Sequence, residues 1–81
     1  SIELCRALIK RQSWKQICII LKGLQQTDPE EIRRQVLGYC QSVLLNTDDP
    51  HVGVVMECFM EPFYNTGFPG LTFACYNSFK S

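Results

Sequence analysis

Apolar residues recur along most of this 81-residue chain at intervals of three and four, the spacing that lines one face of an α-helix. The most complete helix signal lies in Thr27 to Leu45. Asp28 is a natural N-cap, Pro29 fits the first helical position, and Glu31 stands where a capping box would close. Glu30 and Glu31 put negative charge at the positive end of the helix dipole. Ile32, Val36, Tyr39, Cys40, Val43 and Leu44 form the apolar stripe, with Arg33, Arg34, Gln35 and Gln41 opposite.

The same pattern predicts four more helices. Ile2 to Arg11 places Ile2, Cys5, Leu8 and Ile9 on one side. Gln12-Ser13 breaks it, Ser13 caps a second helix with Gln16 in the box position, and Gly23 sits near that helix's end. Trp14 is expected to anchor the joint between these two helices. The short loop at residues 25–27 predicts that the second and third helices lie antiparallel. Asp49-Pro50 repeats the cap-and-proline start, and His51 to Tyr64 reads as a fourth helix whose last turn Pro62 disturbs. Asn65-Thr66-Gly67 marks a C-cap, with Gly67 free to take positive φ, and a fifth helix follows Phe68-Pro69-Gly70. The expected fold is all-α, a compact bundle of about five short helices with antiparallel neighbours, as a single helical domain over residues 1–81.

Composition narrows the function. Eight basic residues balance eight acidic ones, against the excess of cations usual in a domain that grips nucleic-acid backbone. A chain this short hides only roughly 60% of its unfolded surface, so partners that cover more apolar area would add stability. It begins at Ser1 with a helical pattern already under way, which reads as a C-terminal fragment of a longer chain. The longest apolar run, Ile17 to Leu21, is far short of a membrane span. Five cysteines, one per helical segment and without a C-x-x-C pair, read as buried free thiols rather than a disulfide framework or zinc site.

Candidate chemistry is thin. Gly67-Phe68-Pro69-Gly70 lacks the lysine and Ser/Thr of a phosphate loop, and its proline removes an N–H donor. His51, the one histidine, is expected on the surface of a first helical turn, and Glu57 and Glu61 on a solvated face. Lys10, Arg11, Lys15, Lys22, Arg33 and Arg34 make the first half basic and could form a patch for phosphates or an acidic partner. The second and third helices imitate a helix-turn-helix, but Glu30 and Glu31 at the start of the third would repel phosphates. Ile19, Leu45, Phe73 and Tyr76 fall off the main stripes and are candidates for a subunit interface.

The order of parts resembles a known family. RQSWKQICIILKGL is similar to the opening of the C-terminal collar domain of clamp-loader subunits of the replication factor C small-subunit type. TDPEEIRRQVLGYCQSVL resembles that family's next helix, and VVMECFMEPFYNTGFPGLTFACYNSF its last two, joined at an Asn/Gly corner. Phe68-Pro69-Gly70-Leu71 and Pro62 depart from the common pattern and suit a divergent bacterial or phage version. The resemblance implies a collar that packs against sister subunits of a clamp-loader-like AAA+ ATPase in DNA replication, in the cytoplasm or, in a eukaryote, the nucleus. It implies no catalytic, cofactor-binding or metal residue in this chain, since ATP and Mg belong to the parent's ATPase module. The sliding clamp and primer–template DNA would be met only through the parent assembly. The alternative is a small helical DNA-binding or adaptor domain using the basic N-terminal half.

Overall fold

A computed structural model describes residues 1–81 as five α-helices with no strand: α1 Ile2–Ile9, α2 Trp14–Lys22, α3 Pro29–Leu44, α4 Pro50–Cys58 and α5 Gly67–Lys80. The all-α bundle expected from the hydrophobic period is the fold. Its core is one cluster of 16 buried residues drawn from every helix and from the α4–α5 connection.

Local chemistry accounts for the starts. Ser13 Oγ accepts the N–H of Gln16, Asp28 Oδ1 that of Glu30, and Asp49 Oδ1 that of His51. Prolines follow both aspartates at the first helical position. Glu31 stays exposed and does not complete the capping box at α3. The end of α1 lies two residues before Arg11. There the N–H of Gln12 bonds to Ala7 O at 3.0 Å and that of Arg11 to Leu8 O at 3.4 Å, around Arg11 at φ 57°.

α4 is shorter than its sequence period suggests. It ends at Cys58, and residues 59–66 form a connection rather than a last helical turn. A proline ring at 62 collides with the carbonyl of residue 58, so the helix stops where that collision would begin. Phe59 and Phe63 nevertheless remain buried, 6.0 Å apart between ring centroids. Gly67, at φ 64°, turns the chain directly into α5, which starts before Phe68-Pro69-Gly70 rather than after it. Pro69 costs no hydrogen bond in that first turn, where N–H groups have no helical partner.

α1 packs against all four other helices, whereas α2 packs only against α1 and α5. The predicted antiparallel contact between α2 and α3 is not made, because the connection at residues 23–28 carries the chain across the bundle instead of folding it back. Trp14 likewise joins a different partner from the one expected. Its ring stacks on α5, 5.3 Å from Tyr76 and 5.8 Å from Phe79 between centroids.

Candidate interaction surface

α3 places two charges three residues apart, Glu30 and Arg33, where the sequence does not announce them. Glu30 is buried and Arg33 half-buried, although their side chains were expected at the surface. Arg33 Nε and Nη2 donate to the Glu30 carboxylate at 2.7 and 2.9 Å, and Nη1 donates to the carbonyls of Phe59 and Met60 at 3.1 and 3.2 Å. The Phe63 N–H donates to Glu30 Oε2 at 2.5 Å. One ion pair therefore holds the frayed end of α4, taking up backbone groups that the broken helix leaves unpaired. The Arg33 hydrogen bonds, then that from Phe63, hold the Glu30 carboxyl below the usual carboxylate range.

This clasp changes the basic patch. Lys10, Arg11, Lys15 and Lys22 are exposed on α2 and the corner before it. Arg33 is committed to Glu30, and Arg34 donates to the Tyr64 hydroxyl at 2.8 Å. Of the six cations, Arg33 is thus neutralised by a carboxylate, and Arg34 remains exposed.

His51 is a further correction. It is 2% exposed, packed inside the first turn of α4, and its Nε2 lies 3.0 Å from Leu8 O. A carbonyl can only accept, so Nε2 donates and ties α4 to the end of α1. Nδ1 has no partner, and the Asp49 carboxylate is spent on the helix cap. That is a tether without the orienting acid a catalytic imidazole would use. The five cysteines are free; Cys5, Cys40 and Cys75 are buried and Cys18 and Cys58 half-buried. Burial pushes the Cys40 thiol up to about 11 and Cys75 up to about 12. No group of three His, Cys, Asp or Glu side chains converges as metal ligands would.

The four off-stripe residues all reach solvent: Ile19 is 63% exposed, Leu45 77%, Phe73 60% and Tyr76 41%. They do not share one patch. Leu45 stands at the C-cap of α3 beside exposed Leu44, and Ile19 on the outer side of α2. Tyr76 carries Trp14 on its edge and the Lys80 ammonium 5.8 Å from its ring centre. Phe73, one turn earlier on α5, lines a groove of about 390 Å³ against residues 58–66. Met60 and Tyr64 add exposed apolar area that the helical reading of residues 51–64 had assigned to a continuous helix. Pro62 was the available signal for their release.

No protein-family description, no curated protein and no solved structure matches this chain. No helix is long and apolar enough to cross a membrane.

Proposed function

We propose that this chain is an assembly module of the collar type, packing against sister subunits of a clamp-loader-like AAA+ ATPase. Its own residues perform no bond-making step. ATP and Mg would be bound in the parent's nucleotide-binding module, and sliding clamp and primer–template DNA would be met through the assembly, in the cytoplasm or nucleus. The observation that carries this reading is the exposure of Ile19, Leu45, Phe73 and Tyr76 above a core that is already filled without them. Large apolar side chains held rigidly in water are what a subunit contact covers. The likeness of the helix order and its corner residues to the collar family supplies the kind of assembly.

The test is capture of sister subunits by the parent polypeptide, read by native mass spectrometry. Leu45→Asp with Tyr76→Ser should weaken capture about tenfold or more while circular dichroism stays unchanged. Undiminished assembly would reject the reading. So would tight binding of a labelled primer–template duplex by this chain that falls steeply with salt, which would favour the DNA-binding alternative. The pairing of Arg33 with Glu30 weighs against that alternative.

A further inference from the structure

Two uncovered faces of this fold carry opposite charge around an apolar centre. The first is on α2. Lys15, Ile19 and Lys22 stand at positions i, i+4 and i+7, one above another on a single helix face, and all three are exposed. α2 has neighbours only in α1 and α5; Lys22 edges a depression shared with Phe68 and Thr72 of α5, and Lys15 and Ile19 lie outside it. The chain's one ion pair is Glu30 with Arg33, which leaves both lysines without a carboxylate partner. Glu3, beside Ile19 across a shallow depression, is the one acidic group lining that side.

The second face is the groove between α5 and the connection that Pro62 creates. Pro62, Phe63, Phe73 and Ala74 supply its apolar lining, Asn77 part of its polar rim, and Glu61 is its single charged residue. Arg33 is paired with Glu30, and Arg34 donates to the neutral Tyr64 hydroxyl outside this lining. Glu61 is the one charge within the groove itself.

We propose that the occupant of this groove is the α2 face of a second copy of the chain, with Ile19 seated against Phe73 and a flanking lysine beside Glu61. The inference rests on the reading of the domain as an assembly module and names the surfaces and the partner. Burial of Ile19 and Phe73 supplies the attraction, and the Lys–Glu contact fixes the direction. A stripe meeting a different surface is a heterologous contact, so each copy keeps one free face, and assembly runs head to tail into a ring or an open chain.

The experiment is sedimentation velocity of the 81-residue chain at low salt, from dilute solution to about 1 mM, the weak end of measurable association. Wild type should form species larger than a dimer, and added salt should weaken them. Glu61→Lys and Lys15→Glu should each weaken association about tenfold or more, since like charges then face each other. An equimolar mixture of the two variants should recover association, because the intact groove of one meets the intact stripe of the other. Both substitutions are at exposed positions, and unchanged circular dichroism confirms that neither acts by unfolding.

A wild-type chain that stays monomeric overturns the proposal, as does association that Glu61→Lys leaves untouched or a mixture that fails to recover. These failures are separable from failure of the broader reading. Sister-subunit capture through Leu45 and Tyr76 would still stand if the copies ignored one another, and would fall independently if capture were lost.

Discussion

Arg11 occupies a backbone conformation that glycine adopts freely and an L-residue with a side chain adopts at a cost of about 1 kcal/mol. It closes α1 in the position where helices most often place glycine. Arg11→Gly should therefore stabilise the chain by about 0.5–1 kcal/mol, visible as a higher urea midpoint with an unchanged slope. Gly70 presents the opposite situation. A Cβ there would lie 2.8 Å from Thr66 Cβ and 3.1 Å from Phe63 Cδ1, so Gly70→Ala should cost about 1–3 kcal/mol by forcing α5 off the connection. Neither position was legible in the sequence, because a lone Arg or Gly says nothing of its φ or of what approaches it. His51 taught the same point: Asp48 and Asp49 just before it are acidic and exposed, yet its ring is inside.

At the scale of elements, α4 and its continuation depend on a carboxylate from α3. Glu30 has its folded-state pKa lowered, so its contribution is fully present above the unfolded value near 4.5 and is lost as pH falls through the lower folded value. Wild-type melting temperature should drop on acidification below about 4.5. Glu30→Gln should melt lower at neutral pH, and the gap should narrow as acid protonates the wild-type carboxyl. Differential scanning calorimetry between pH 7 and 2 reads both; a gap constant across that range would refute the clasp. The period-3.6 pattern made the five helices readable, and Asp28-Pro29 and Asp49-Pro50 placed two starts to the residue. It could not show that Phe59 and Phe63 reach the core from a connection, because a helix and a folded-back loop can bury the same residues.

For the whole molecule, the thiols give a direct test of packing. Burial raises Cys5, Cys40 and Cys75, so near pH 8 they should resist iodoacetamide until denaturant is added. Half-buried Cys18 and Cys58 should be alkylated first. Peptide mass spectrometry with and without guanidinium distinguishes the two groups, and uniform labelling in the native chain would contradict the packing described. One cysteine per helix at apolar positions was enough to anticipate free thiols, three of them buried, since each behaves as a small hydrophobe.

The chain's own order of residues determined that there are five helices and where aspartate and proline start two of them, because those are properties of near neighbours along the chain; it did not place the end of α4 or the buried side of α1, where Leu4 and Ala7 lie in the core and Ile2 is exposed. It also marked Ile19, Leu45, Phe73 and Tyr76 as misfits to the main stripes, and all four are exposed. Tertiary structure alone decided that α2 rests on α5 and not on α3, that Arg33 turns inward, and that Glu61 and Phe73 share a groove. Each of those outcomes joins residues distant in sequence. They are settled by which faces can be buried together and which backbone groups need a partner, and no periodicity along a single strand of sequence encodes that choice.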